Sequence, residues 1–167
     1  MRWILATLLL AVAALLQASV FSRMTVAGAA PQLVLLSVVA WSLVRGPVEG
    51  MYWGFAGGLL YDVVSGGPVG VSALAMLAVA AVAGLLGGRM FGTNPLLPVL
   101  AVFLASGVFF VIDGFLLATL HYPTGWRSVF VDVAFPTAIA NGLLSLAVYP
   151  VFLFVANHTT QRLRVEF

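Results

Sequence analysis

The decisive stretch of this sequence lies at residues 50–74, which read GMYWGFAGGLLYDVVSGGPVGVSAL. Glycines recur every four residues at Gly50, Gly54 and Gly58, and Asp62 continues the series, so one face of a helix there has almost no side chains. Lipid tails are as apolar as leucine, so helices associate in a bilayer through close packing, which small residues permit. The stretch therefore predicts a helix that packs tightly against another helix.

Two helices are candidates for covering this glycine face. The next apolar stretch repeats the pattern with Ala80, Gly84 and Gly88, which favours packing between neighbours in the chain. The other candidate is a helix from a different protein. In that case a partner-binding surface is formed by Gly50, Gly54, Gly58, Asp62 and Pro68.

The link between these two helices reads Ser-Gly-Gly-Pro-Val-Gly at residues 65–70. Its three glycines permit positive φ, while Pro68 fixes its own φ and suits the first turn of a helix, so we expect a tight, rigid turn. Asp62 lies one helical turn before this link, and its carboxylate should point into a packed interior or interface, away from lipid. It either hydrogen-bonds the turn amides and Ser65 or contacts a partner.

The composition of the whole chain indicates a membrane protein. Of its 167 residues, 63% are apolar and 7% are charged, whereas soluble domains carry about 25% charged residues. The mean hydropathy is +1.16. All seven basic residues are arginines scattered singly, which excludes the basic patch of a nucleic-acid-binding protein. Cysteine is absent, which excludes disulfides and thiolate chemistry.

Six apolar stretches are long enough to cross a hydrocarbon core of about 30 Å at about 1.5 Å per residue. They cover residues 3–21, 26–44, 48–64, 70–88, 96–120 and 131–155. We therefore predict an all-α, polytopic bundle of six transmembrane helices, with residues 1–167 forming a single domain. The first stretch resembles a secretory signal, but its exit fits a cleavage site poorly, so we expect a retained helix.

The arginines predict the orientation of the bundle, because positive residues in short loops favour the cytoplasm. If both termini are cytoplasmic, more arginines lie on the inner side than on the outer side. The inner set is Arg2, Arg45, Arg89, Arg162 and Arg164, and the outer set is Arg23 and Arg127. This asymmetry favours cytoplasmic N and C termini.

Asp113 is the most deeply placed acid, about seven residues inside the end of the fifth predicted span, where a bare charge costs a few kcal/mol. It must be neutral, paired or hydrated. Asn141, at a similar depth in the sixth span, is its predicted hydrogen-bond partner, and Ser106 lies on roughly the same helix face as Asp113. These intramembrane polar residues form either a structural clamp or a site for a proton, a solute or a polar group of a partner.

Patterns typical of catalysis or metal binding are missing from the sequence. His121 and His158 fall on opposite sides of the predicted membrane, so they are not expected to share a metal. No nucleophile stands near a base, and no phosphate-binding glycine loop precedes a lysine. We expect no enzyme activity, no catalytic residue, no metal and no cofactor.

Residues 57–74, GGLLYDVVSGGPVGVSAL, closely resemble the signature segment of MreD, a family of bacterial rod shape-determining membrane proteins. The segment before it, residues 45–55, is similar to the approach to that signature. Length, the six-span layout and a short basic tail also agree, so the resemblance covers most of the chain. One departure is Gln32, at a position after Pro31 where many relatives carry an acid.

The resemblance implies a non-catalytic, multi-pass protein of the bacterial inner membrane that belongs to the cell-elongation machinery. Its implied direct partner is the single-span protein MreC, and its implied indirect partners are MreB filaments and peptidoglycan synthases. The implied fold is similar to the substrate-binding subunits of energy-coupling-factor transporters.

Two functions follow from this interpretation. The leading hypothesis is a scaffold whose glycine-lined surface, around Gly54, Gly58 and Asp62, accepts a helix of MreC without any turnover. The alternative is a small-molecule, vitamin-like binding subunit of a membrane transporter, with Asp113 and Asn141 inside its pocket.

Overall fold

The structure is a computed structural model that describes residues 31–90, 96–123 and 125–160, together with Leu10, Val12, Ala13 and Gln17. For residues 88–90 and 157–160 only the backbone is described. Several predicted segments lie wholly or largely outside the described residues: the first span at 3–21, the start of the second at 26–30, the link at 91–95 and the tail at 161–167.

Five long helices account for most of the described chain, and no strand occurs within it. These helices are α1 (Leu33–Arg45), α2 (Pro47–Ser65), α3 (Val71–Met90), α4 (Leu96–Thr119) and α6 (Phe135–Thr160). A single helical turn, α5 (Trp126–Ser128), and a π-helical segment, π1 (Val129–Ala134), lead directly into α6. The prediction of an all-helical fold is confirmed.

Two of the described helices are long and apolar enough to cross a membrane, α4 and the continuous helix Trp126–Ala156. Two others, α1 and the Val71–Gly87 portion of α3, are apolar but shorter. The ends of α2, α3 and α4 fall within two residues of the predicted spans. The total of six spans stays a prediction.

Two helix starts differ from the predicted ones. Pro31 and Gln32 lie within the predicted second span but are not helical, and the Gln32 amide donates a hydrogen bond to Asn141 Oδ1 at 2.9 Å. Trp126 and Arg127, predicted to lie in a loop, are helical. There the Val129 amide bonds the Gly125 carbonyl at 2.9 Å, which starts the helix before the apolar run that marked the predicted boundary.

Helix α1 is the centre of the bundle. Every residue from Val34 to Leu43 is buried, and α1 contacts α2, α3, α4 and α6. A helix that is apolar on all sides is suited to such a position, because no face of it needs to meet water. The other described helices are arranged around it.

Glycines let the backbones of α1, α2 and α3 approach closely. A Cβ on Gly54 would lie 2.7 Å from the Met76 carbonyl oxygen, and one on Gly58 would overlap the Ala73 backbone. Further along α3, a Cβ on Gly84 would overlap the Pro47 backbone. The structure therefore confirms the predicted packing of α2 against its neighbour in the chain, α3.

An aromatic cluster joins α1, α2 and α6 at the end of the bundle that carries Arg45. The rings of Trp41 and Trp53 stack with centroids 4.5 Å apart, and Phe152 meets both edge-on at 6.0 Å. Arg45 lies over Trp41 at 5.4 Å and donates to the Ala156 carbonyl at 3.1 Å. The Arg45 end is thus held by large side chains, whereas the opposite end, at the turn that carries Pro68, is held by polar contacts.

Candidate functional site

The Asp62 carboxylate caps the first turn of α3. Its Oδ2 accepts from the Gly70 amide at 2.7 Å and its Oδ1 accepts from the Ser72 amide at 3.1 Å. Amides at a helix start have no partner within the helix, and the helix dipole favours a negative charge there. Asp62 is 2% exposed, so the α2–α3 turn closes on its own buried acid.

The backbone of Asp62 also ends α2. Its carbonyl accepts from the Gly66 amide at 3.0 Å and from the Ser65 hydroxyl at 3.3 Å. Gly66 has φ +70°, a left-handed conformation that glycine adopts without steric cost. One residue therefore satisfies both sides of the turn, with its carbonyl on α2 and its carboxylate on α3.

Asp113 joins this cap through Ser72. The Ser72 hydroxyl donates to Asp113 Oδ1 at 2.9 Å, while the Ser72 amide donates to Asp62. A single serine therefore bridges two carboxylates and ties α4 to the α2–α3 turn. Ser72 was not among the predicted site residues. The signal that could have found it is its position in the first turn of α3, the helix that directly precedes the helix of Asp113 in the chain.

A second polar group joins α4, α6 and the start of α1. The Asn141 side-chain amide donates to Ser106 Oγ at 3.0 Å, and its Oδ1 accepts from the Gln32 amide. All three residues are buried. The predicted pair of Asp113 and Asn141 is wrong, because Asn141 is level with Ser106, which lies about 10 Å along α4 from Asp113 at about 1.5 Å per residue.

Gln32 connects this group to α2. Its side-chain amide donates to the Tyr61 hydroxyl at 3.1 Å, and Tyr61 directly precedes Asp62. Its Oε1 is buried and has no hydrogen-bond donor. Gln32 and Tyr61 were missed as site residues, although a glutamine directly after Pro31 at the start of an apolar helix is an unusual feature of the sequence.

Gln17 makes a similar contact at the start of α1. Its Oε1 accepts from the Val34 amide at 3.0 Å, which satisfies one of the free amides of that helix. Like Asp62, it caps a helix start at the Pro68 end of the bundle. Asp62, Gln17, Gln32 and Asn141 therefore act first as internal hydrogen-bond partners.

The glycines of the predicted partner-binding surface face inward. Gly50, Gly54 and Gly58 are buried, and the space beside Gly50 is taken by the Ser42 side chain of α1. As described above, α3 covers the other two. A partner helix on these glycines would have to displace α3, so only the tip of the surface, at Pro68, is partly accessible.

Apolar cavities lie between the outer helices of the bundle. A cavity of about 600 Å³ lies between α4 and the π1–α6 helix, and another of about 110 Å³ lies between α3 and α4. Apolar side chains line both, and neither is lined by Asp113 or Asn141. Neither of these two cavities therefore supplies the pocket around Asp113 and Asn141 that the alternative of a vitamin-like ligand requires.

Within the described residues, no group of three or more His, Asp or Glu side chains is placed to hold a metal ion. His121 lies in a turn with φ +61° and is exposed. What the polar groups do chemically is to fix helix ends and helix depths by hydrogen bonds.

Comparisons with known proteins agree with the resemblance drawn from residues 45–74. A search of curated proteins finds no match. A family model described as rod shape-determining protein MreD matches residues 1–158, nearly the whole chain. That family consists of membrane proteins that determine cell shape and is not a known enzyme family. The chain, in which Asp62 caps the turn between the glycine-rich α2 and α3, therefore belongs to the MreD family.

Proposed function

We propose that this chain is a non-catalytic membrane scaffold of the bacterial cell-elongation machinery, which acts in rod shape and peptidoglycan synthesis. In this proposal it crosses the inner membrane six times, with both termini in the cytoplasm, and binds MreC directly by helix packing. MreB filaments and peptidoglycan synthases are its indirect partners. The observation that carries the proposal is the match of the MreD family to residues 1–158.

The outward face of α2 supports helix packing as the mechanism. Its inward face is locked to α1 and α3 by glycines, so α2 is held in one position. Its outward face carries an exposed stripe of mainly apolar side chains at helical spacing. We call it the α2 stripe, and it consists of Val48, Tyr52, Phe55, Ala56 and Val63.

In this proposal the glycines contribute to partner binding without contacting the partner. Gly50, Gly54 and Gly58 set the position of the α2 stripe, and Asp62 fixes the turn at its end. Pro68, which is partly accessible, and Val69, which is 71% exposed, extend the surface to the α2–α3 turn. This arrangement explains how residues with buried side chains contribute to partner binding.

Ala56 offers a direct test, because it is the smallest side chain in the α2 stripe. Ala56→Trp adds bulk where a partner helix approaches, while fluid lipid adapts to it. Overpacking a helix contact costs typically about 1–3 kcal/mol, so we expect recovery of MreC with the tagged variant to fall about fivefold or more. The matched control is Ala147→Trp, since Ala147 is an exposed alanine of α6.

The readout is co-purification of MreC from detergent-solubilised membranes, normalised to the amount of inserted variant. Recovery should fall for Ala56→Trp and stay unchanged for Ala147→Trp. Equal recovery with both variants would show that the α2 stripe is not the binding surface. If the wild-type chain itself recovers no MreC, the proposal of a scaffold that binds MreC directly is refuted.

A further inference from the structure

Helix α4 and the helix formed by α5, π1 and α6 are joined on their buried side by the Asn141–Ser106 hydrogen bond, and on the side of Gly107 they leave a groove that closes at two levels. At the Pro68 end, a Cβ on Gly114 would lie 3.3 Å from the Trp126 ring. Towards the Arg45 end, a Cβ on Gly142 would lie 3.6 Å from Phe103. Between these levels a Cβ on Gly107 would meet nothing within 4 Å. The gap between the two contacts is the 600 Å³ cavity, which we call the slot.

The π-helical segment lines one side of the slot. In π1 the Phe135 amide bonds the Phe130 carbonyl, five residues earlier, which makes a wider turn than in an α-helix. The slot opens beside that turn. Its lining is entirely apolar and consists of Phe103, Leu104, Gly107, Val108, Val111, Phe130, Val131, Ala134, Phe135 and Ala138.

The ends of the slot limit what it can hold. Phe103 meets Phe135 edge-on at 6.4 Å at one end, and Trp126 stacks on Phe130 at 5.9 Å at the other. Between Phe103 and Val111 the slot is about 12 Å long, at about 1.5 Å per residue. A transmembrane helix is about 10 Å wide and about 30 Å long and does not enter it. A flexible hydrocarbon chain does.

A positive charge stands beside the slot. Arg127 is exposed and lies one turn before Phe130 and Val131, on the helix face from which the lining residues project. None of the lining residues is acidic; Asp132 is exposed but is not one of them. An arginine binds phosphate oxygens by charge-assisted hydrogen bonds. Trp126, 40% exposed, is the kind of side chain that prefers the headgroup level of a membrane.

We propose that the slot binds one acyl chain of an anionic phospholipid, whose phosphate contacts Arg127. The apolar lining and the cation on the same face complement a molecule with an apolar tail and an anionic head. A bound acyl chain fills the space beside Gly107, next to the Asn141–Ser106 contact that joins α4 and α6. This proposal rests on placing these two helices in a membrane and is independent of MreC binding.

The test is native mass spectrometry of the delipidated full-length chain, titrated with phosphatidylglycerol or with phosphatidylcholine of the same acyl chains. The wild type should retain phosphatidylglycerol preferentially. One cation near an anionic headgroup is worth about 1 kcal/mol, so Arg127→Gln should lower that preference about fivefold. Gly107→Leu should lower retention of both lipids, because its side chain fills the slot. Ala147→Leu, on an exposed part of α6, should change neither.

Several outcomes would overturn the proposal. Unchanged lipid retention in Gly107→Leu means that the slot holds no acyl chain. If the wild type and Arg127→Gln prefer phosphatidylglycerol over phosphatidylcholine equally, Arg127 does not bind the phosphate. Loss of a co-purified single-span protein from Gly107→Leu, with lipid retention intact, assigns the slot to a partner side chain. If Gly107→Leu does not fold, Gly107→Ala, which adds one methyl to open space, must lower lipid retention in the same direction.

Discussion

Replacing Asp62 by asparagine tests the polar cap that closes the α2–α3 turn. The carboxylate accepts from two amides, those of Gly70 at 2.7 Å and Ser72 at 3.1 Å. Asn keeps the size of the side chain and one acceptor oxygen. Its amide group, however, places a donor against a backbone N–H, so one of these two contacts becomes unfavourable. The charge that complements the start of α3 is lost as well.

The magnitude follows from these two losses. A hydrogen bond to a charged group contributes about 1.5–3 kcal/mol, and a lost helix cap costs about 0.5–2 kcal/mol. Because these describe overlapping contacts, we do not add them and expect about 2 kcal/mol of destabilisation for Asp62→Asn. Asp62→Ala removes both acceptors and should cost about 3 kcal/mol, since both amides then lack a partner.

The assay is unfolding in mixed micelles with increasing sodium dodecyl sulfate, followed by far-UV circular dichroism. The chain has no cysteine, so thiol-reactive dyes cannot report its unfolding. The matched control is Asp132→Asn, because Asp132 is an exposed acid in π1 and should tolerate the change within about 0.5 kcal/mol. An effect of Asp62→Asn no larger than that of the control would refute the capping role.

Two further predictions concern the packing of the bundle. Gly58→Ala places a methyl group against the Ala73 backbone and should cost about 2 kcal/mol, whereas Gly107→Ala, which points into open space, should cost under about 0.5 kcal/mol in the same assay. Similar values for the two would contradict the close approach of α2 and α3. Asn141→Ala removes the acceptor of the Gln32 amide and should cost about 2 kcal/mol. Wild-type stability of this variant would show that the buried contact contributes nothing.

Asp113→Asn gives the comparison that separates the two carboxylates bridged by Ser72. Asparagine at 113 still presents an oxygen to the Ser72 hydroxyl, so it should destabilise the chain less than Asp62→Asn, by about 1 kcal/mol or less. The same unfolding titration measures it. A larger loss for Asp113→Asn than for Asp62→Asn would mean that the charge of Asp113, and not its hydrogen bond, holds α4 in place.

Local features were readable from the sequence because they depend on a few neighbouring residues. Apolar runs of sufficient length predicted the helices, and α2, α3 and α4 begin and end within two residues of the predicted spans. The Ser-Gly-Gly-Pro-Val-Gly link predicted a tight turn, which Gly66 at φ +70° and Gly70 at φ +101° form. The signature in residues 57–74 indicated the family, which the match to residues 1–158 confirms.

The sequence by itself determined that the chain is helical and apolar, that one helix face is made of glycine, and that the turn after Asp62 is tight. Only the tertiary structure decided which helices and side chains contact each other. It placed α3 on the glycine face, paired Asp113 with Ser72 and Asn141 with Ser106, and opened the slot at Gly107. The physical reason is that helical period and turn chemistry are local, whereas the partner of a buried side chain depends on the rotation and depth of helices distant in the chain.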